Sequence, residues 1–342
     1  MSKLTGVVAA VTIGLILSLQ VGAQAPQRPA APKPAAKAAP DDRALEKAGA
    51  DGDWITYGLT QAETRYSPLT DINAANVSRL APVWEFELGP GGGNQEATPL
   101  VWNGTIYAIT NWSVVFAIDA RTGKEKWRHD PKVDQVAVRP EICCGVVNRG
   151  LAVYRGRIIA PVIDGRLRSL DAETGTLVWQ SRVAFPQEDR HTITMAPRIA
   201  KGKVIVGVSG GDRPTRGFFD AYDAATGRRA WRFYTVPGDP SKPFENAAMK
   251  KAAETWDNDW WKRGGGGAVW DGMAYDPDLE LVYVGTGNAE PWTFHLRSSK
   301  DKDNLYVASI LAVDVDTGEL KWHFQVVPGD NWDYDSVQHL LL

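Results

Sequence analysis

The sequence predicts an all-β fold built from repeated propeller blades, and three observations lead to this prediction. The pattern small-x-Asp-x-x-Thr-Gly-x-x-x-Trp occurs four times, at residues 117–127, 169–179, 221–231 and 312–322. The first three copies follow one another at intervals of 52 residues. Segments rich in apolar and β-branched residues, as strands are, surround the copies. A period of about 50 residues with several strands per repeat is typical of propeller blades.

Each copy of the pattern predicts a tight turn between two strands. An Asp side chain accepts hydrogen bonds from nearby backbone N–H groups, and Gly adopts a positive φ without strain. The turn would join a run such as 114–118 to a strand that ends in Trp. Asp276 follows Asp223 by 53 residues and so continues the spacing, although the Thr-Gly and the Trp are missing there. One short helix is expected, near residues 247–255.

The composition excludes one class of partner. The chain has 342 residues, of which 44% are hydrophobic, and this is enough to bury a large core. The formal net charge is −3, and Lys and Arg form no basic patch in the sequence. We therefore expect no nucleic-acid partner.

The N-terminus has the features of a secretory signal peptide. An apolar run at residues 7–19 is short for a membrane span, and the small residues at 21–23 suit cleavage. We predict a signal peptide over 1–23, a periplasmic location, and no stable membrane span after cleavage. An uncleaved membrane anchor is the alternative.

The rest of the chain divides into two parts. Residues 24–50 begin with a stretch of Ala and Pro that buries little apolar surface, which predicts a linker. The repeats and the segments around them predict one propeller domain over 51–342.

The two cysteines, Cys143 and Cys144, are adjacent. In an oxidising compartment they can pair with each other. Neighbouring Cα atoms lie about 3.8 Å apart, whereas an ordinary disulfide has them about 4.4–6.8 Å apart, so a bridge would close a small, strained ring. Two free thiols packed as small apolar groups are the alternative. The residues by themselves leave both possibilities open.

The repeat resembles the tryptophan-docking motif of the quinoprotein alcohol and methanol dehydrogenases, enzymes that use pyrroloquinoline quinone (PQQ). The resemblance begins near Gly52 and continues to the last residue. It implies an eight-bladed ring, of which this chain would hold about the first half. Since the chain stops at Leu342, within an expected strand, we expect a truncated piece. Its open blade edges would make it bind PQQ poorly and leave it inactive alone.

Two motifs resemble the parts of that family that enclose PQQ. The segment Cys143-Cys144-Gly-Val-Val-Asn-Arg149 resembles its vicinal disulfide and the arginine that follows. The resemblance implies a disulfide ring over one PQQ face, with Arg149 paired to a PQQ carboxylate. Trp270, after a run of four glycines, resembles the Trp that stacks on the opposite face, and a docking Trp is the alternative. Further candidate PQQ contacts are Glu96, Thr194, Ser209, Gly210 and Gly211.

Three motifs resemble the metal-binding and catalytic positions of the family. Asp212, in Ser-Gly-Gly-Asp, stands where the family has a metal-binding Glu, and a turn residue is the alternative. Asn288, in Gly-Thr-Gly-Asn, matches a metal ligand, since an amide carbonyl suits a hard cation. Asp333, in Pro-Gly-Asp-Asn-Trp-Asp, matches the general base, which also touches the metal, unless this stretch is only a turn.

Asp335 bears on the identity of the metal. Calcium-dependent members usually carry a small residue two positions after the catalytic Asp, whereas the lanthanide-dependent branch carries a second Asp. This chain has Asp335 at that place, so Asp212, Asp333 and Asp335 would supply three carboxylates. A trivalent ion gains more from the extra carboxylate than Ca²⁺ does. A lanthanide is therefore favoured, with calcium as the alternative.

The resemblance implies oxidation of a small primary alcohol to an aldehyde. Asp333 would take the hydroxyl proton, hydride would pass to PQQ, and the electrons would leave to a cytochrome c. A sugar or polymer-alcohol dehydrogenase of the same superfamily is one alternative. A non-enzymatic propeller scaffold of the outer-membrane assembly type is another, and it would explain the repeats but not Cys143, Cys144, Trp270 or the Asp333 stretch.

We predict that Cys143 and Cys144 are bonded to each other in the exported protein, because a vicinal disulfide accompanies this motif in the family. Peptide mass mapping without reduction should find one peptide that is two hydrogen masses lighter than its reduced form. Two thiols open to alkylation in the periplasmic protein would contradict this.

Overall fold

The structure is a computed structural model that describes residues 37–49, 52–89, 95–297, 299 and 301–342. The predicted signal peptide, 1–23, and the linker residues 24–36 lie outside the described residues. The boundary between linker and propeller at residue 51 stays a prediction.

The described chain forms four antiparallel sheets, and each sheet contains four strands that are consecutive in the sequence. We number these sheets blades 1 to 4. They confirm the predicted all-β fold of repeated blades. The strands are β1 (Leu100–Trp102), β2 (Thr105–Ile109), β3 (Val115–Asp119) and β4 (Glu125–His129) in blade 1; β5 (Ala152–Tyr154), β6 (Arg157–Pro161), β7 (Arg166–Asp171) and β8 (Leu177–Arg182) in blade 2; β9 (Arg198–Ala200), β10 (Lys203–Gly207), β11 (Phe218–Asp223) and β12 (Arg229–Tyr234) in blade 3; and β13 (Met273–Asp276), β14 (Leu281–Gly285), β15 (Ser309–Asp314) and β16 (Leu320–Gln325) in blade 4.

Helices are short and lie between the strands. The helix expected near residues 247–255 is present as α4. Among the described residues, no helix is both long enough and apolar enough to cross a membrane. The α-helices are α1 (Asp42–Glu46), α2 (Gln135–Val138), α3 (Pro186–Asp189), α4 (Ala247–Ala253) and α5 (Phe294–Arg297).

The repeated pattern forms the turn between the third and fourth strands of each blade, as predicted. In blade 1, Asp119 Oδ1 accepts hydrogen bonds from both the backbone N and the hydroxyl of Thr122 at 2.9 Å. Gly123 follows with a φ of 69°. The small residue that opens the pattern, Ala117, is paired directly with Trp127 across the two strands. The same bonds to Asp and the same pairing recur in the other three blades.

The Trp that closes each pattern fixes its blade to the next one. Trp127 Nε1 donates a hydrogen bond to Ala172 O of blade 2 at 3.0 Å. Its ring covers Gly175, and a Cβ on that glycine would lie 2.6 Å from the ring. Gly is therefore required here both for its positive φ and for the close approach of the ring. The equivalent hydrogen bonds join Trp179 to Ala224 O at 3.1 Å and Trp231 to Val315 O at 3.0 Å.

Trp84 and Trp322 are the first and last members of this series in the described chain. Trp84 Nε1 donates to Ala120 O at 3.2 Å, and its ring covers Gly123 of blade 1. Sequence reasoning missed Trp84 because no Asp-x-x-Thr-Gly precedes it. Trp322 is 46% exposed on the outer strand of blade 4.

The prediction that Asp276 continues the spacing of the repeated Asp residues is wrong. The structure places Asp276 at the end of β13, in the turn between the first and second strands of blade 4. The residue equivalent to Asp119, Asp171 and Asp223 is Asp314, which accepts from Thr317 at 2.8 Å. Two insertions lengthen this repeat, one between β12 and β13 and one between β14 and β15. An apparent period of 53 residues arose from the first insertion by coincidence.

The end of the predicted linker packs on the blades. Residues 42–46 form α1, and Leu45 is buried in the main core. Asp42 Oδ2 accepts a hydrogen bond from Tyr154 OH at 2.7 Å. The described part of this segment is therefore docked on blade 2 rather than extended.

Replacing Trp179 by Phe should lower the free energy of unfolding by about 1 kcal/mol, because Ala224 O loses its indole donor. Trp322→Phe is the matched control, since this exposed side chain donates to no carbonyl of a following blade among the described residues. Urea unfolding of both variants checks this. Equal destabilisation by the two substitutions would contradict the docking role.

Candidate functional site

A cavity of about 140 Å³ lies at one edge of blades 2 to 4. It is formed where the first strand of a blade begins and where the second strand ends. Because neighbouring strands are antiparallel, these two ends meet at the same edge of a sheet. The predicted site residues on its wall are Cys143, Cys144, Arg149, Thr194, Ser209, Gly210, Gly211, Asp212, Trp270 and Asn288.

Three predicted residues, Glu96, Asp333 and Asp335, are not part of this wall. Glu96 and Asp335 each contact a wall residue directly, and Asp333 lies in the same loop as Asp335. The structure therefore brings nearly all of the candidate residues together at one end of the blades.

Cys143 and Cys144 are joined by a disulfide, as the resemblance implied. Their two sulfur atoms and a carboxylate oxygen of Asp212 all lie within 4.8 Å of one another. Disulfide sulfurs are not thiolate ligands, so Asp212 is the member of this trio that could bind a cation. The disulfide is thus a rigid part of the cavity wall beside a candidate metal ligand.

Arg149 lies between two carboxylates. Its Nη2 is 3.2 Å from Glu96 Oε2, and its Nε is 3.6 Å from Asp271 Oδ2. The guanidinium carbon lies 4.8 Å from the centre of the Trp270 ring. Burial raises the pKa of Asp271, and the charge of Arg149 opposes that rise. Sequence reasoning missed Asp271, although its position directly after Trp270 was a usable signal.

Asp335 is bonded to two other site residues. Its Oδ1 accepts from Asn288 N at 2.9 Å and from Trp270 Nε1 at 3.3 Å. The indole of Trp270 therefore differs from the docking tryptophans, which donate to backbone carbonyls of a neighbouring blade. Thr194 Oγ1 also donates to Trp270 O, at 3.1 Å. Both of these bonds to Asp335 are made to its Oδ1.

Asn288 is oriented by the loop after β10. Its amide nitrogen donates to Gly211 O at 3.4 Å and to Ala289 O at 3.3 Å. The side-chain carbonyl oxygen accepts neither of these bonds and could bind a cation. A Cβ on Gly211 would lie 2.7 Å from that oxygen, so only Gly allows this approach.

The run of four glycines before Trp270 also serves close packing. Gly264 to Gly267 all have a positive φ. A Cβ on Gly266 would lie 2.5 Å from Asn288 O, and Gly266 forms bridges to both Arg216 and Ala289. The run therefore connects blade 3 to the loop that carries Asn288.

Asp333 occupies a strained turn that Asp330 stabilises. The buried Asp330 side chain accepts hydrogen bonds from Trp332 N at 3.1 Å and Tyr334 N at 3.2 Å. Asp333, between them, has a φ of 64°. Burial raises the pKa of Asp333 to about 6, and the charges of Asp212, Asp335 and Asp330 add to the rise.

The site accumulates negative charge. Burial also raises the pKa of Asp335 and of Glu290, and the charge of Asp212 adds to both shifts. Sequence reasoning missed Glu290, whose position two residues after Asn288 places it in the same loop. Carboxylates that repel one another in this way form a donor set that a multivalent cation would stabilise.

The family model of the glucose/ethanol/alcohol dehydrogenase β-propeller domain, the PQQ family, matches residues 54–341. The chain belongs to this family. It is 51% identical over 301 residues to quinohemoprotein alcohol dehydrogenase ADH IIB of Pseudomonas putida, a match that covers 88% of this chain and 43% of the relative. The chain thus spans less than half the length of that curated relative of the PQQ family.

Solved structures of PQQ-family proteins are similar as well. The crystal structure of quinohemoprotein alcohol dehydrogenase from Comamonas testosteroni is 50% identical, with a TM-score of 0.84 over 88% of this chain and 45% of that one. A europium-containing methanol dehydrogenase is 37% identical, with a TM-score of 0.77 over 86% of this chain and 53% of that one.

Asp333→Asn should stabilise the metal-free chain much more at pH 7.5 than at pH 4. The native pKa of about 6 exceeds the ordinary value of 3.8, so the native state holds this proton more tightly. The contribution of Asp333 to stability therefore falls as the pH rises through that window. Asn also tolerates a positive φ, which limits any backbone effect.

Thermal unfolding at both pH values, with the exposed Asp278→Asn as control, measures this effect. A Tm gain that is the same at pH 4 and pH 7.5, or no gain at pH 7.5, would contradict the raised pKa.

Proposed function

We propose that the whole protein, of which this chain is a part, oxidises a primary alcohol to an aldehyde with PQQ and a bound metal ion. The observation that carries the proposal is the convergence of the Cys143–Cys144 disulfide, Trp270, Asp212 and Asn288 on one cavity, next to the loop of Asp333 and Asp335. Relatives named as quinohemoprotein alcohol dehydrogenases support it.

The cavity wall fits an aromatic, anionic cofactor. When bound, PQQ supplies an electrophilic quinone carbon that accepts hydride from the alcohol. The disulfide and Trp270 would hold it by packing, and Arg149 would pair with one of its carboxylates. Glu96 and Asp271 orient Arg149 from two sides, which restricts the direction from which an anion can approach.

The donor set fits a hard cation with many oxygen ligands. Asp212, Asn288, Asp333 and Asp335 would hold it, and their three carboxylates favour a trivalent lanthanide over calcium. The hydrogen bonds from Asn288 N and Trp270 to Asp335 support a functional place for this residue, because a residue that merely decorates a turn needs neither.

Asp333 is the proposed general base. Its carboxylate would accept the hydroxyl proton as the alcohol is oxidised. A pKa of about 6 lies near neutral pH, where a carboxylate is ionised yet basic enough to take a proton. The Asp330 turn would hold this carboxylate in place by fixing the backbone on both sides of Asp333.

We further propose a periplasmic location after signal cleavage and a cytochrome c as the electron acceptor. Both follow from the resemblance of the motifs and from the predicted export signal at 1–23. A sugar or polymer alcohol as substrate remains the second candidate within the same chemistry. The non-enzymatic scaffold is disfavoured, since blade docking requires neither the disulfide nor a cluster of raised-pKa carboxylates.

The metal preference can be tested by reconstituting the whole enzyme with PQQ and either La³⁺ or Ca²⁺, using a primary alcohol and an artificial electron acceptor. We expect higher activity with La³⁺. Asp335→Ala should reduce the La³⁺-dependent activity about 10- to 100-fold, as the loss of a metal-site contact does.

Asp278→Ala, at an exposed position in the turn after β13, is the control and should leave the preference unchanged. Full activity with Ca²⁺ and no response to La³⁺ would overturn the lanthanide assignment, and so would an Asp335→Ala variant with wild-type metal preference. No alcohol oxidation with either metal would overturn the proposed function.

A further inference from the structure

Arg297, the last residue of α5, is the largest side chain that the described fold buries completely. Burying a guanidinium is costly unless hydrogen bonds and nearby negative charge compensate. Burial lowers the pKa of Arg297 to about 10, and the charges of Asp330 and Glu290 oppose this shift. None of the motifs that predicted the site contains Arg297. Its burial beside a cluster of carboxylates therefore needs an explanation.

The hydrogen bonds of Arg297 go to two loops. Its Nη1 donates to Pro291 O at 2.9 Å and to Trp292 O at 2.6 Å, and its Nη2 donates to Asp330 O. Nε is buried without a hydrogen-bond partner among the described residues. The guanidinium therefore uses its two terminal nitrogens to bind backbone oxygen atoms that are far apart in the sequence.

These two loops carry three of the four proposed metal ligands. We call residues 286–293, after β14, the Asn288 loop, and residues 326–337, after β16, the Asp333 loop. Pro291 and Trp292 belong to the first loop, and Asp330 belongs to the second. Arg297 thus joins the loop of one proposed ligand, Asn288, to the loop of two others.

Further hydrogen bonds join the same parts of the chain. Asp335 Oδ1 accepts from Asn288 N at 2.9 Å, and Ser336 N donates to Thr286 O at 3.1 Å. Asn331 Oδ1 accepts at 2.7 Å from Phe294 N, which directly follows the Asn288 loop. The Asn331 bond lies next to the arginine contacts, whereas the Asp335 bond lies at the ligands themselves. The loops are therefore attached at two places, and Arg297 provides most of the bonds at the end away from the ligands.

Such an attachment counteracts a specific force. The Asp333 loop carries the acidic side chains of Asp330, Asp333 and Asp335, and the Asn288 loop carries Glu290, so like charges on the two loops repel each other when no cation is bound. A guanidinium that binds backbone carbonyl oxygens holds the loops together without neutralising the ligand carboxylates by direct pairing. The ligands then remain available to a metal ion.

We propose that Arg297 is a positioning residue that clamps the Asn288 loop to the Asp333 loop and so presets the spacing of the metal ligands. The inference rests on the proposed metal site and goes beyond it, since Arg297 reaches neither the cavity wall nor a ligand side chain.

Coulomb's law separates this role from a purely electrostatic one. Removing a positive charge near a cation site strengthens cation binding if charge alone matters. Removing a clamp weakens cation binding because the ligands must be ordered when the ion binds. The sign of the change in affinity therefore distinguishes the two roles.

The experiment measures Tb³⁺ binding to the 342-residue chain by luminescence after tryptophan excitation. Trp270 Nε1 lies 3.3 Å from Asp335 Oδ1, so a bound ion would be close to an indole. Arg297→Met and Arg297→Lys should each weaken Tb³⁺ binding about tenfold or more, as loss of an outer-shell contact does. Lys keeps the charge but has a single nitrogen in place of the two terminal nitrogens with which Arg297 reaches the two loops.

Arg263→Met is the matched control. Arg263 is exposed, and its charge also acts on Glu290. This substitution removes a nearby positive charge without breaking the clamp, so Tb³⁺ affinity should stay the same or rise slightly.

A second readout does not require the metal. Hydrogen–deuterium exchange of the metal-free chain should become faster in both loops in Arg297→Lys and stay unchanged in Arg263→Met. Should Arg297→Met fail to fold, Arg297→Lys and Asn331→Ala carry the test, since Asn331→Ala removes the neighbouring bond between the same parts of the chain.

Folded Arg297 variants that bind Tb³⁺ as tightly as the wild type, or more tightly, would overturn the clamp, as would unchanged exchange in both loops. If the wild-type chain itself bound no Tb³⁺, the proposed metal site would be contradicted instead, and the exchange measurement would still decide whether Arg297 joins the loops.

Discussion

The contact of an indole with a glycine of the next blade is the interaction on which the rest of this structure depends. Each such contact combines a buried aromatic ring, an N–H···O=C hydrogen bond and a turn that only Gly can complete. Trp127 on Gly175 shows all three together. Because the bond runs from the fourth strand of one blade to the turn of the next, it fixes the angle between successive sheets. The small residue opposite each Trp leaves room for the ring within its own blade.

This regular stacking makes the site possible. Each sheet presents the start of its first strand and the end of its second at the same edge, so loops from three blades meet around one cavity. The insertions are concentrated at this edge in blade 4, where they bring Trp270 and Asn288 to the cavity. Their glycine run lets the backbone of one loop approach the other to distances that a Cβ would prevent. The contacts between blades thus follow one repeated pattern, whereas the loops around the cavity, where the proposed chemistry takes place, differ from blade to blade.

The irregular end is also where the fold tolerates unfavourable electrostatics. Asp212, Glu290, Asp333 and Asp335 lie close enough to influence one another, and burial disfavours the ionised forms of three of them. Nearby structure compensates with hydrogen bonds to Asp335, with the turn stabilised by Asp330 and with the buried guanidinium of Arg297. A site that holds carboxylates together at a cost in stability is suited to a multivalent cation, whose binding would return that free energy.

The sequence by itself determined the blade pattern, because the bonds within Asp-x-x-Thr-Gly form a local turn, which pairs the Trp four residues later with the small residue that opens the pattern. It also pointed to the cysteine pair, which the structure shows bonded, and made Asp333 and Asn288 candidates, since each lies in a distinctive local motif. It misassigned Asp276 and did not single out Trp84, Asp271, Glu290 or Arg297. Spacing alone cannot separate an insertion from a repeat. The significance of the other four residues depends on partners 30 to 120 residues away, and only the packed structure brings these partners together.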